Sequence, residues 1–315
     1  MKQIVKPIKG LILCLMMTIG LMGCTSSNVP NEMVDSSQKE EQSDLYPITI
    51  TDSDGKEVTL NSEVERLISG APSITEMVYA LGAEDKLVAR TDYCDYPKEV
   101  SEIESIGNLI NPDIEKIISL EPDLVITSTH FDGENAIKLE EAGIPTMSLF
   151  EEFDVEGVYT ILETLGTTLN KQEEAQAIIG EMKATIAEVQ SKVANLEKPT
   201  VYYVVGYGEF GDYSAPENSY VGGLINLAGG KNIVPPSDSW SYTLEALLEA
   251  DPEIIIVRQG DKEGFMATPG YSELTAVKED KVYEIDNNLL DRQSNRNAEG
   301  VLALAQIMHP EAFES

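Results

Sequence analysis

Apolar and polar positions change period three times along this chain, and each change predicts a different kind of element. Ile48-Thr49-Ile50-Thr51 and Glu57-Val58-Thr59-Leu60 alternate in period two around Asp54-Gly55, which predicts a hairpin. From Arg66 the pattern becomes short apolar runs separated by helical ones. Strands are expected at Arg66 to Ser69, Leu87 to Arg90, Leu124 to Thr127 and Thr146 to Leu149. Helices are expected from Ser73 to Leu81, with Ser73 and Glu76 forming a capping box, then from Asp113 to Leu120 and from Glu134 to Glu141.

After Phe150 the helical period persists. Val155 to Leu169 reads as one helix and Lys171 to Leu196 as another, which Pro199 ends. At 1.5 Å per residue the second would span about 39 Å, more than one small domain needs, so it reads as a strut between two lobes. A continuous helix makes a poor hinge, and lobe closure is expected to be small. Alternation then resumes with strands at Thr200 to Val205, Glu253 to Val257 and Lys281 to Ile285. Helices are expected at Ser219 to Leu227, Thr243 to Glu249 and Ala298 to Met308. The expected class is α/β with a mostly parallel sheet.

The two halves repeat one unit. Ile114-Glu115 precedes Pro122-Asp123-Leu124-Val125-Ile126, and Leu244-Glu245 precedes Pro252-Glu253-Ile254-Ile255-Ile256 at the same spacing. A glutamate in a first helical turn is also what the macrodipole alone favours.

The N-terminus sets the compartment. Lys2, Lys6 and Lys9, the apolar run Leu11 to Leu21 and Leu21-Met22-Gly23-Cys24 have the order of a secretory signal ending in a lipobox, with Cys24 as the lipid-bearing residue. Residues 1 to 23 are then a signal and 24 to 44 a polar tether able to carry the body on the order of 25 Å from a membrane. Residues 45 to 169 form the first lobe, 170 to 198 the linking helix and 199 to 315 the second lobe.

Composition narrows the chemistry. With 22 basic and 55 acidic residues in 315, the formal charge is −33, which excludes nucleic acid as a partner. The two histidines, His130 and His309, cannot build a histidine-rich metal cage, and no resident cofactor or metal is expected. His309 reads as a helix-end residue; His130 follows a strand, where α/β proteins bind ligands. Gly206 to Gly211 fits GxGxxG, but Asp212 to Pro216 continue as loop and no helix opens to receive a pyrophosphate. Tyr207, Phe210 and Tyr213 are better placed as a flexible aromatic wall, or else as core-facing rings of a surface loop. Cys94 is the one thiol left if Cys24 is lipidated, and no catalytic nucleophile with its base is evident, so the chain is not expected to be an enzyme.

Tyr93-Cys94-Asp95-Tyr96-Pro97, the run from Asp113 to Ile126 and the run from Leu244 to Pro252 resemble the substrate-binding proteins of ABC importers for cobalamin, ferric siderophores and haem. Within that family the chain is most similar to the vitamin B12-binding lipoproteins. The resemblance implies two Rossmann-like lobes joined by a single backbone helix, the class III periplasmic-binding-protein type. It implies a monomer, lipid-anchored outside the cell membrane, that passes a metal chelate to a permease dimer with its ATPase. Tyr93 and Trp240 would face the corrin from opposite lobes, with Asn288 and Arg292 near the ligand. Leu109 and Ser128 occupy positions where the cobalamin branch often carries tryptophan, and Asn288 stands where it has an acid. Glu115 and Glu245 would meet arginines on the two permease subunits. A siderophore is the alternative ligand if Arg90, Arg258, Arg292 and Arg296 converge; haem would take His130 or a methionine as axial ligand. An extracytoplasmic lipoprotein enzyme is the remote alternative.

Overall fold

The computed structural model describes residues 45–150 and 153–314. The signal, the lipobox cysteine Cys24 and the tether lie outside the described residues. The first elements are the antiparallel strands β1 (Ile48–Thr51) and β2 (Glu57–Leu60), with Gly55 supplying the positive φ at the turn. Asp52 ties this hairpin down: Oδ1 accepts from Lys56 N at 2.8 Å, and Oδ2 from Ser148 N at 3.1 Å.

The first lobe follows as β3 (Leu67–Ser69), α1 (Pro72–Ala80), β4 (Leu87–Arg90), β5 (Glu104–Ser105), α2 (Ile114–Ser119), β6 (Leu124–Thr127), α3 (Gly133–Glu141) and β7 (Thr146–Ser148). Its sheet runs β5-β4-β3-β6-β7, parallel throughout. All four residues of β6 are buried, as expected of a central strand covered on both faces. Next come α4 (Val155–Thr168) and α5 (Gln172–Val193).

The second lobe contains β8 (Thr200–Gly206), β9 (Tyr213–Ser214), α6 (Tyr220–Leu227), β10 (Lys231–Asn232), α7 (Leu244–Ala250), β11 (Ile254–Arg258), α8 (Lys262–Ala267), α9 (Thr275–Lys278), β12 (Val282–Ile285), α10 (Asn288–Asp291) and α11 (Asn297–Met308). Its parallel order is β10-β8-β11-β12, with β9 antiparallel on β8. The glycine-rich stretch therefore closes a short hairpin rather than running on as open loop, and no α-helix opens there.

The linking helix is shorter than its sequence pattern predicts: α5 has 22 residues, about 33 Å, because the chain leaves the helix at Ala194. Ala175, Ile179, Met182, Ile186, Val189 and Val193 recur at alternating intervals of four and three, making one buried stripe. That stripe packs on α4 and on α11, so one apolar cluster reaches from Ile50 in the hairpin to Met308, beside two smaller ones, one in each lobe.

Side-chain caps fix where the helices start. Asp113, Asp132, Asp154, Ser219 and Thr243 each accept from a backbone N–H in the first turn of α2, α3, α4, α6 and α7. Asp154→Ala, which removes bonds to Glu156 N and Gly157 N, should cost about 1 kcal/mol in a urea melt. The capping box at Ser73 and Glu76 does not form. Helix α1 starts with Pro72 after Ala71, so Ser73 lies inside the first turn and the cap position has no side-chain acceptor, while Glu76 is buried and bonded elsewhere.

The repeat between the halves is structural. Helices α2 and α7 follow capping residues Asp113 and Thr243, end before left-handed Glu121 and Asp251, and lead through a proline into β6 and β11.

Candidate functional site

Parallel strands gather ligands at their carboxyl ends, and here the ends of both sheets open on one cleft. From the first lobe come Ala71 to Ser73 after β3, Ser128 to His130 after β6, and Phe150 and Phe153 beyond β7. Leu109 adds an apolar wall. From the second lobe come Val205 of β8, Arg258 at the end of β11, Asn218 to Val221 at the start of α6, Ser237, Asp238 and Trp240, and Leu290 to Gln293 at the end of α10 and just beyond it. The cleft measures about 790 Å³. That is the size of a site for a sizeable organic ligand, and its mixture of rings, hydroxyls and amides suits an amphipathic one.

Leu109, Ser128, His130, Trp240 and Arg292 are the sequence-proposed ligand residues that the fold brings together along this cleft. Trp240 keeps 42% of its surface exposed, and its carbonyl, held by Ser214 N at 2.8 Å, anchors the loop beneath the ring. His130 Nδ1 lies 3.1 Å from Thr129 Oγ1. Tyr93 is not among the lining residues. Its ring is 52% exposed, with Asn108 Nδ2 3.4 Å from its hydroxyl.

Three more of the proposed residues do not line the cleft. Tyr207 lines an adjoining recess of the second lobe, which shares Val205 and Arg258 with the cleft, together with Gly208, Asp261 and Thr268, and packs edge-on against Phe265 and Tyr271. Phe210 belongs to the same glycine-rich turn. Asn288 opens α10, its N–H donating to Asp286 Oδ1 at 3.0 Å, and does not line the cleft. Cys94 is buried behind the first lobe's wall, where Thr75 Oγ1 donates to its Sγ at 3.1 Å. His309 caps α11 and bonds to Gly229 O at 3.1 Å.

The expected arginine cluster does not assemble. Arg90 donates to the Val100 and Thr91 carbonyls, and Arg296 lies over the Tyr96 ring at 3.9 Å while pairing with Asp286 at 3.2 Å. Only Arg258 and Arg292 line the cleft, and both are engaged by carboxylates. Arg258 Nη2 is 3.7 Å from Asp291 Oδ2, and the Tyr203 hydroxyl donates to Asp291 Oδ1 at 2.8 Å. Burial first, and then Asp291, push that hydroxyl well above its ordinary pKa, so it remains a donor.

Arg292 crosses between the lobes. Its Nη1 reaches Glu76 Oε1 and Asp95 Oδ1, each at 2.7 Å. Burial alone would lower the guanidinium's pKa, but the bonds from Asp95 and Glu76 hold it above its ordinary value. Sequence reasoning missed Glu76 and Asp95, because neither motif spacing nor periodicity reports a partner some two hundred residues away.

Glu115 and Glu245 occupy matching places, each the second residue of a short capped helix and each exposed. Among the described residues neither forms an ion pair, and an exposed aliphatic, Ile118 or Leu248, lies three residues farther along each helix.

The chain belongs to the periplasmic binding protein family, whose profile matches residues 67–289. It is 31% identical over 308 residues to an uncharacterized ABC transporter substrate-binding lipoprotein of Bacillus subtilis, covering 95% of this chain and 96% of that one. A cobalamin-binding protein of Halobacterium salinarum is 25% identical over 279 residues, covering 84% of this chain and 74% of its own. In three dimensions the chain is similar to an apo periplasmic haem-binding protein from Roseiflexus, with a TM-score of 0.71, 22% identity and coverage of 79% and 99% of the two chains. That likeness establishes the fold.

Proposed function

We propose that this protein is the extracytoplasmic receptor of an ABC importer, held to the membrane through lipid on Cys24, and that it captures a corrinoid between its lobes. The observation that carries the ligand class is the state of the two cleft arginines: both are paired with acids. A catecholate siderophore is a multiple anion and would ask for uncommitted guanidinium groups. Cobalamin is a nearly neutral amphipathic disc fringed with amides, and it asks for ring faces and hydrogen-bonding groups. Trp240, Phe150 and Leu109 supply apolar faces; Asn218, Ser219 and Ser128 supply polar ones. The sequence likeness to a cobalamin-binding protein agrees with this chemistry.

Haem is the second reading, favoured by His130. With Nδ1 facing Thr129, its other ring nitrogen is left to meet a metal in the cleft. Delivery would place the ligand-loaded protein across a permease dimer, with Glu115 and Glu245 at the two contacts.

Visible spectroscopy separates these ligands because each is coloured and distinct. Mixed with cyanocobalamin, haemin and a ferric tricatecholate, then passed through a desalting column, the protein should emerge carrying the corrinoid spectrum and release heat on titration with cyanocobalamin. Retention of haemin alone, with a shifted Soret band lost in His130→Ala, would transfer the assignment to haem.

A further inference from the structure

Most charged residues around a binding cleft act by facing the ligand. Glu76 and Asp95 act on Arg292 from the opposite lobe. Helix α1 carries Glu76 with its side chain only 1% exposed, and Oε1 takes Arg292 at 2.7 Å while Oε2 accepts from Ser294 Oγ at 2.8 Å. Arg296 Nη1 approaches the same Oε1 at 3.5 Å. Asp95, 63% exposed, takes the other side of Arg292 at 2.7 Å, and the Tyr93 carbonyl lies 3.4 Å from Nη2. The Arg292 side chain is 14% exposed and borders the cleft.

We propose that Glu76 and Asp95 determine which ligand charge the cleft accepts: by holding Arg292 across the lobe boundary they deny it to anions, so the protein selects neutral or cationic metal chelates over anionic ones. The proposal rests on the reading of this cleft as a metal-chelate site. A ligand anion that captured Arg292 would cost Glu76 its 2.7 Å bridge and leave the buried carboxylate only the Ser294 hydroxyl and the more distant Arg296, and weakening a buried ion pair is unfavourable. Water cannot replace the lost bond at a side chain so thoroughly enclosed. Asp95 is open to solvent and can be rehydrated when its bond breaks, so it is the weaker of the two holds. Arg258, the other cation of the lining, faces Asp291 at 3.7 Å, and Asp238 contributes a further acid.

Calorimetry with two chelates tests this, cyanocobalamin as the neutral probe and a ferric tricatecholate as the anionic one. In Glu76→Gln/Asp95→Asn the affinity ratio should move toward the tricatecholate by about tenfold, the worth of one charge-assisted bond made available to the ligand. Adding Arg292→Gln to that pair should abolish the gain, an effect that simple loosening of the lobes would not produce. Asp95→Asn alone keeps the buried bridge and the fold, and should show a smaller shift of the same sign. The proposal fails if the folded double variant gains nothing for the anion, if the gain survives Arg292→Gln, or if the double variant does not fold and Asp95→Asn shows no shift. Wild-type protein that binds no cyanocobalamin would overturn the corrinoid assignment, while the tricatecholate arm would still decide whether the two acids restrain Arg292.

Discussion

Reversing both surface glutamates, Glu115→Lys with Glu245→Lys, should abolish corrinoid uptake by cells and binding to the permease, while corrinoid affinity of the purified protein stays as it was. The two residues stand second in short helices of matching place on opposite lobes, each after a capping side chain and each free of ion pairs among the described residues. A pseudo-symmetric protein bearing one such pad per lobe suits a partner made of two equivalent subunits. Single exposed salt bridges are worth only about 0 to 1 kcal/mol, so neither glutamate alone would hold a complex. Where the family resemblance implies an arginine on each permease subunit, two lysines would change the sign of both contacts, and like-charge juxtaposition in an interface costs several kcal/mol as well as the steering that speeds encounter. Ile118 and Leu248, exposed on the same helices, would add apolar contact beside each charge. Uptake rates from cells expressing the double variant, with calorimetry on the same protein, provide the check. Normal transport would leave the glutamates as helix-start residues serving only the macrodipole.

Much of the fold was legible because it rests on local signals. Leu124 to Thr127 and Ile254 to Val257 are apolar runs preceded by proline, and such runs belong to strands covered on both faces. Asp113, Ser219 and Thr243 sit where a capping oxygen is needed, so those helix starts fell within a residue of their expected places. The two-residue strands β5, β9 and β10 carry too few positions to show a period, and α8 to α10 are only four to six residues long. Their existence depends on tertiary packing. Glu76 illustrates the opposite hazard: its spacing from Ser73 satisfies a capping rule, but the helix starts at Pro72, Ser73 lies inside it, and Glu76 pairs instead with Arg292, 216 residues later. A strand end was enough to point to His130, whereas Ser128 was named through the family resemblance. The site was not legible where a side chain's role depends on the other lobe, as with Arg292, or where a glycine-rich loop folds back on its own domain, as with Tyr207.

Trp240→Ala should weaken cyanocobalamin binding by about 1 to 3 kcal/mol, roughly a five- to 150-fold rise in Kd, the usual worth of an aromatic anchor in a binding site. The indole lines the cleft yet remains partly exposed without ligand, so its burial is left for the ligand to complete. Its loop does not depend on the ring: Ser214 N holds the Trp240 carbonyl, and Tyr213 bridges to Ser241. The substitution should therefore change affinity with little change in melting temperature. Tyr93→Ala should fall in the same range if the ring folds over the corrin from the first lobe, its backbone being tethered by Arg292 in any case. Tyr207→Ala offers a contrast, since that ring packs against Phe265 and Tyr271 and its removal opens a hole in the second lobe, which should lower the melting temperature. Titration calorimetry and thermal melts on the three variants separate the two behaviours. If Trp240→Ala binds cyanocobalamin as tightly as the parent protein, the corrin does not lie against the second lobe's tryptophan, and the proposed mode of capture is wrong.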